Sequence, residues 1–96
     1  MTVVYAPRAV RDLERIGAFY RAVADPGIAE AIARRIEYVI DRLDHHPLSA
    51  PLVVGRPHIR AVLVLRYPYK IFYRVRGDLI EILHIRHTAR RPWPGQ

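Results

Sequence analysis

Residues 69–91 contain a Gly-Asp pair between two runs of β-branched and aromatic residues, and this pattern restricts the fold more than any other. Gly77 takes the first central position of a two-residue turn, where a type II′ hairpin requires a positive φ. Counting outward from Gly77 and Asp78 places Arg74 opposite Glu81. Opposite charges facing each other across two strands stabilise the pair. The stretch therefore predicts an antiparallel β-hairpin.

This register divides the predicted hairpin into two faces. It pairs Phe72 with Leu83 on one face and Ile71 with His84 on the other. The face of Ile71 is almost purely apolar, which predicts that it lies on the core. The opposite face mixes apolar side chains with cations, as an interaction surface does. Its predicted members are Lys70, Phe72, Arg74, Leu83 and Ile85.

Two helices are predicted before the hairpin. Apolar residues recur at spacings of three and four from Ala9 to Val23, and again from Ile28 to Leu43. Pro7 and Pro26 suit the first turns of these helices, and Asp25 suits the N-cap of the second. Because only about three residues connect the two helices, they are expected to form an antiparallel pair.

Two more strands complete the predicted fold. Residues 2–5 form a short strand. Residues 59–66 form another, apolar at nearly every position from Ala61 to Leu65, so it is expected to be covered on both faces or to be central in the sheet. The order is then β-α-α-β-β-β. It predicts an α+β fold, with a helical hairpin packed on one face of a mainly antiparallel four-stranded sheet. At 96 residues, the chain is expected to be one domain, residues 1–96.

The net charge of +7 comes entirely from the second half of the chain. Residues 49–96 hold nine Lys or Arg against Asp78 and Glu81, whereas seven cations and seven anions cancel in residues 1–48. This asymmetry predicts an acidic partner, either nucleic acid or an acidic protein segment. There is no cysteine, membrane span or secretory signal in the sequence, so a cytoplasmic protein is expected.

No metal or cofactor site is expected. His45 and His46 are adjacent on a helix end and point in different directions, and no Cys or carboxylate lies near His84 or His87 with ligand spacing. The chain also lacks a Gly-rich phosphate loop. Cations without a clear acid–base pair favour binding over catalysis. The cations and their neighbours are Arg60, Lys70, Arg74, Arg86, His87, Arg90, Arg91 and Trp93.

The segments APRAVRDLERI, YKIFYRV and ILHIRHTARRPW, together with the element order, resemble the RelE/ParE superfamily of bacterial type II toxins. The resemblance covers essentially the whole chain. It implies a hetero-oligomeric complex with an acidic, ParD-like antitoxin, whose C-terminal segment wraps the toxin and folds on it. The mixed face of the hairpin is the expected antitoxin-binding surface. The resemblance also implies that the toxin meets operator DNA only through the antitoxin.

Members of this superfamily differ in activity. RelE-like toxins cut messenger RNA on the ribosome without a metal, whereas ParE-like toxins inhibit DNA gyrase and lack the nuclease residues. Lys70 stands where the RelE-like pattern has an Arg, and Arg90 matches its Arg after the last strand. Ala61 and Leu63 stand about where that pattern has lysines, and no Tyr follows Tyr73.

These departures favour a ParE-like gyrase inhibitor that is not an enzyme, with an RNA endonuclease as the alternative. The gyrase hypothesis assigns target binding to His87, Arg90, Arg91 and Trp93, and the nuclease hypothesis assigns catalysis to Lys70, His87 and Arg90. A basic nucleic-acid-binding module is a third hypothesis. It would require exposed aromatic residues for stacking on bases, and Phe72 is the one candidate on the hairpin.

Overall fold

The structure is a computed structural model that describes residues 1–89, in which two helices pack on a four-stranded sheet. Within the sheet the strand order is β1-β4-β3-β2, with β1 parallel to β4 and the other neighbours antiparallel. The α+β prediction is confirmed. The elements are β1 Thr2–Tyr5, α1 Pro7–Val23, α2 Pro26–His45, β2 Arg60–Val64, β3 Tyr69–Arg76 and β4 Leu79–His87.

Local sequence signals set the helix ends. Asp25 is the N-cap of α2, and its Oδ1 accepts a hydrogen bond of 2.7 Å from the backbone N–H of Gly27. Pro7 and Pro26 lie in the first turns of α1 and α2, where the missing N–H leaves no helical bond unmade. The last carbonyls of α2 are partly satisfied by the His46 N–H, which donates to Arg42 O at 3.1 Å.

The core lies between the helices and one face of the sheet. The predicted stripe of α2 is buried from Ile32 to Leu43, but its first member, Ile28, is 42% exposed. Val23, the last member of the α1 stripe, is also exposed, at 63%. The largest fully buried side chains are Tyr73, Phe72, Ile32, Ile36, Ile71, Ile80 and Ile82.

The hairpin follows the predicted register for its first four pairs. Gly77 has the required positive φ of 56°, and Arg74 lies opposite Glu81. Beyond the pair of Tyr73 and Ile82, however, the register shifts by one residue. Leu83 is the extra residue of a β-bulge, so Phe72 faces His84 and the predicted pair of Phe72 with Leu83 is wrong.

The bulge changes which side chains reach the core. One additional residue in β4 reverses the alternation of side chains after it, so Ile85 pairs with Ile71. Ile85 is 3% exposed and belongs to the core cluster. The assignment of Ile85 to the mixed face was therefore wrong. The physical reason is that alternation can be counted along a strand only while the strand has no bulge.

Strand β2 is an edge strand, and its predicted central position is wrong. Within residues 1–89, β3 is the one strand that pairs with β2, a single bridge joins Arg60 to the loop residue Leu52 on the other side, and Leu63 is 54% exposed. Val64 points into the core and Val62 packs against it. The apolar run is explained by one buried face together with exposed leucines, rather than by two buried faces.

Candidate functional site

The face of the hairpin that points away from the core carries the cations of β3 and β4. We call this surface the outer face. Its cross-strand pairs are Lys70 with Arg86, Phe72 with His84, and Arg74 with Glu81. Lys70 and Arg86 are like charges directly opposite each other, an arrangement that is unfavourable unless an anion or other partner compensates it. Of these two cations Lys70 is the more exposed, because Arg86 is buried.

Arg74 is neutralised within the outer face. Its Nε donates to Glu81 Oε1 at 2.6 Å, and the Nε of Arg76 lies 3.9 Å from the same oxygen. Glu81 is about one-fifth exposed, and both arginines reach it from β3. Because its oxygen already accepts a charged hydrogen bond, Glu81 is held as a structural partner of the arginines.

Phe72 is enclosed by two neighbours on the outer face. The His84 ring stacks on it with 5.7 Å between centroids and 16° between planes, and the Arg86 guanidinium lies 5.5 Å from its centroid. Phe72 has no exposed surface. The nucleic-acid-binding hypothesis required an exposed aromatic side chain at this position for stacking on bases. The structure shows a buried one.

Asp12 of α1 holds the second half of β4. Its Oδ2 lies 2.7 Å from His84 Nδ1 and accepts a hydrogen bond of 2.9 Å from the Ile85 backbone N–H. Strand β1 ends at Tyr5, opposite Ile82, so within residues 1–89 no strand continues beside Ile85 on that side of β4, and the carboxylate takes the place of one. Burial raises the pKa of Asp12, but the hydrogen bonds from His84 and Ile85 outweigh it and hold the pKa below its ordinary value.

Sequence analysis did not single out Asp12. One signal was available, because Asp12 lies three residues after Ala9 and four before Ile16, on the apolar side of α1. An acid in that position is expected to have a buried partner. The partner itself, 72 residues further along the chain, could not be read from local spacing.

His87 is the last residue of β4, is partly exposed, and pairs with the core residue Tyr69, so it lies on the face of the sheet opposite the outer face. Its ring meets the Tyr69 ring edge-on at 5.3 Å, and its Nδ1 accepts a hydrogen bond of 3.1 Å from the Ala89 N–H. The other proposed target-binding residues, Arg90, Arg91 and Trp93, lie outside the described residues. The same holds for the nuclease assignment of Arg90.

The predicted antitoxin-binding residues are only partly brought together. Lys70, Arg74 and Leu83 are half-buried on or beside the outer face, whereas Phe72 and Ile85 are buried. Arg60, another predicted cation, is used elsewhere: its Nη1 donates to Leu48 O at 3.2 Å and to Ala50 O at 2.7 Å. These bonds hold the loop that precedes β2.

Among residues 1–89, no three His, Asp or Glu side chains come together in a way that could hold a metal ion. No helix in that part of the chain is long and apolar enough to cross a membrane.

Comparison with known proteins agrees with this fold. Residues 3–92 match the family described as the ParE toxin of the type II toxin–antitoxin system parDE. Toxin RelE2 of Caulobacter vibrioides is 34% identical over 88 residues, which cover 92% of this chain and 96% of that protein.

Two solved structures are also similar. The chromosomal ParDE toxin–antitoxin system from P. aeruginosa contains a chain that superposes with a TM-score of 0.79 at 25% identity, covering 91% of this chain and 95% of the other. The toxin–antitoxin complex RelBE2 from Mycobacterium tuberculosis gives a TM-score of 0.58 at 23% identity, covering 90% and 95%, and shows a shared fold. Because the family match spans almost its whole length, this chain belongs to the ParE toxin family of type II toxin–antitoxin systems, within the RelE/ParE superfamily.

Proposed function

We propose that this toxin inhibits DNA gyrase in the cytoplasm, arrests growth, and is neutralised by an acidic antitoxin in a hetero-oligomeric complex. The family match and the similarity to toxin–antitoxin complexes support an antitoxin partner. The concentration of positive charge in the second half of the chain supports an acidic partner. On this proposal the toxin approaches operator DNA only through the antitoxin.

The choice of a gyrase inhibitor rests on one observation. Two groups of the outer face that could transfer a proton are bound to other side chains. A metal-free nuclease needs one group to take a proton and one to give it. Glu81 is bound to Arg74 at 2.6 Å, and the buried His84 is bound to Asp12 at 2.7 Å. Both groups already serve as structural partners. Of the two histidines of β4, His87 then remains, and it pairs with Tyr69 on the opposite face of the strand.

The antitoxin is proposed to use the accessible part of the outer face. Lys70 offers charge, Arg74 offers a guanidinium group whose Nε is bound to Glu81, and Leu83 offers apolar surface at the bulge. Phe72 would contribute only if its neighbours His84 and Arg86 moved aside, and Ile85 belongs to the core. Gyrase is proposed to meet a different surface, formed by His87, Arg90, Arg91 and Trp93.

A ribosome-dependent RNA endonuclease is the second candidate function. The observation in its favour is that Lys70 lies directly opposite Arg86, so two cations meet on the outer face close to His87. Such cations can stabilise the charge that builds on phosphate oxygens during cleavage. In this candidate function, Lys70, His87 and Arg90 carry the reaction, and the relative named Toxin RelE2 is compatible with it.

The experiment that separates these functions exposes two purified systems to the free toxin. One contains DNA gyrase with supercoiled plasmid, and the other contains ribosomes translating a defined messenger RNA. We expect gyrase–DNA cleavage complexes to accumulate while the messenger RNA stays intact. Ribosome-dependent cuts in the messenger, lost in Lys70→Ala or Arg90→Ala, would overturn the proposal in favour of the endonuclease.

A further inference from the structure

A groove of about 560 Å³ lies between α2 and β2. We call it the α2–β2 groove. Its volume is in the range of ordinary small-molecule sites, which combine apolar walls with a few polar groups. None of the described residues that line it carries a carboxylate. The aliphatic side chains of the lining are Val39, Leu43, Val62, Leu63 and Leu65.

Basic side chains stand in a row along the α2 wall of the groove. Arg35, Tyr38 and Arg42 follow one another at spacings of three and four residues, which puts them on one side of the helix. His46, the C-cap of α2, continues the row. The groove therefore has one cationic wall above an apolar base.

The carboxylates in the second half of α2 lie toward β1 instead. Asp44 Oδ1 is 2.9 Å from the amino group of Met1. Burial and, after it, the charges of Glu37 and Asp41 raise the pKa of Tyr5, the last residue of β1. Charges act in this way on a phenol only when they are close to it. The cations and these three anions of α2 thus lie on different sides of the helix.

Arg35 has an unused donor in the groove. Its guanidinium lies 4.9 Å from the centroid of the Tyr38 ring, and its Nε is buried without a hydrogen-bond acceptor in the described part of the chain. A buried donor without an acceptor is costly, and most such groups in proteins are satisfied. A ligand that brings an anionic oxygen to this Nε removes that cost.

We propose that the α2–β2 groove binds a small amphipathic carboxylate, a fatty-acid-like molecule whose head group pairs with Arg35. A carboxylate matches the paired N–H groups of a guanidinium. The apolar chain of the ligand lies on Leu63 and Leu65, which are 54% and 63% exposed, and removes their surface from water. Arg42 adds positive charge beside the head group. This site uses other residues than the proposed antitoxin and gyrase surfaces, so it does not depend on the proposed function.

A second copy of this chain is a poorer occupant. A two-fold interface uses the same patch on both subunits, so it would bring the cationic wall of one groove against that of the other. Arg35 and Arg42 would then face their equivalents, with no carboxylate in the lining to compensate them. A carboxylate ligand compensates them directly.

The test titrates the isotope-labelled full chain with decanoate, below the concentration at which decanoate forms micelles. We expect the Nε–H resonance of Arg35 to shift as the site fills. Arg35→Gln is expected to weaken decanoate binding, measured by calorimetry, by at least about tenfold. Arg34→Gln is the matched control: it removes the same charge from an exposed position of α2 outside the groove, and should leave the affinity unchanged.

Two further ligands separate the contributions of charge and chain. Decanol has the chain without the charge, and acetate has the charge without the chain. Each should bind at least about tenfold more weakly than decanoate. Leu63→Ser should weaken the binding of decanoate and leave that of acetate unchanged. Decanol or acetate that bound as tightly as decanoate would overturn the proposal.

Three other results would also overturn it. Equal losses of affinity in Arg35→Gln and Arg34→Gln would mean that decanoate responds only to net charge. An Arg35 resonance that shifted with protein concentration and not with decanoate would make the groove a surface between copies. A resonance that shifted with an acidic antitoxin and not with decanoate would assign the groove to that protein.

Discussion

At the scale of single residues, Asp12 connects a helix to a strand that would otherwise have an unpaired edge. Its carboxylate accepts hydrogen bonds from both the side chain of His84 and the backbone of Ile85. The extra residue of the bulge, Leu83, lies immediately before these two partners. The bulge and the carboxylate are therefore parts of one local arrangement, in which a disrupted strand is compensated by a helix side chain.

Replacing Asp12 with Ala is expected to lower the free energy of unfolding by about 3 kcal/mol, because His84 and the Ile85 N–H would lose a buried acceptor. Urea denaturation at neutral pH measures this loss. Glu14→Ala is the control, since Glu14 is exposed on the same helix. Equal stability of the two variants would show that the Asp12 contacts do not stabilise the fold.

The same carboxylate predicts how stability depends on pH. The pKa of Asp12 is lower in the folded protein than its ordinary value of 3.8, so the folded state favours the ionised form. This stabilisation is present above the ordinary carboxyl pKa and is lost as pH falls through the lowered folded value. Asp12→Asn should therefore lose less stability than the parent protein between neutral pH and about pH 3. Parallel stability curves for the two proteins would contradict this.

At the scale of elements, α2 is the main helical contribution to the core. Ile32, Ile36, Val39, Ile40 and Leu43 are all buried, whereas Ile28 near its start is exposed. The buried side chains of α2 begin at Ala29, directly after the exposed Ile28. Two isoleucines of one helix therefore stand in different environments.

Truncating Ile36 to Ala is expected to cost about 2–5 kcal/mol, because this side chain is 2% exposed and its loss leaves a cavity. The matched control is Ile28→Ala, on the same helix, which should cost well under about 1 kcal/mol. Thermal or urea unfolding of both variants measures the difference. If the two substitutions have the same effect, α2 packs with a different face from the one described.

At the scale of the whole molecule, the net positive charge lies in the second half of the chain, which follows the two helices. The cations of the second half lie largely on the hairpin and the segments that flank it, whereas the charges of residues 1–48 cancel. A large unbalanced charge acts over distance and accelerates encounter with an oppositely charged partner. Apolar contact at the interface then determines how long the complex lasts.

The association rate with the antitoxin should therefore fall steeply as salt rises, while the dissociation rate changes much less. Surface-captured toxin and free antitoxin, followed at ionic strengths from about 0.05 to 0.5 M, provide both rates. Changing Lys70 to Ala should reduce the salt dependence of association, and changing the exposed Arg34 of α2 should reduce it less. If salt changed mainly the dissociation rate, this prediction would be contradicted.

Removing residues 90–96 should abolish toxicity and leave antitoxin binding largely in place, because the proposed gyrase surface includes Arg90, Arg91 and Trp93. His87→Ala should leave partial toxicity, since an inhibitor that only holds gyrase on DNA needs no proton transfer. Growth after induction and the affinity for antitoxin measure the two properties separately. Full toxicity of the truncated chain would exclude these residues as the determinant.

The features that depend on neighbours in the chain could be predicted from the sequence. The turn at Gly77 and Asp78, the N-cap at Asp25 and the prolines that open both helices act through bonds within a few residues. The spacing of apolar residues likewise indicated which face of α2 is buried. Element order and fold class followed from these local signals, and so did the basic character of the hairpin.

The features that depend on distant parts of the chain were decided by the tertiary structure. Nothing near Leu83 marks it as a bulge, because the bulge is stabilised by Asp12 of another element. The residues of β2 cannot show that, within residues 1–89, it is an edge strand, since strand order follows from how β1 joins β4. Consequently the core position of Ile85 and the edge position of β2 both depend on contacts between residues far apart in sequence.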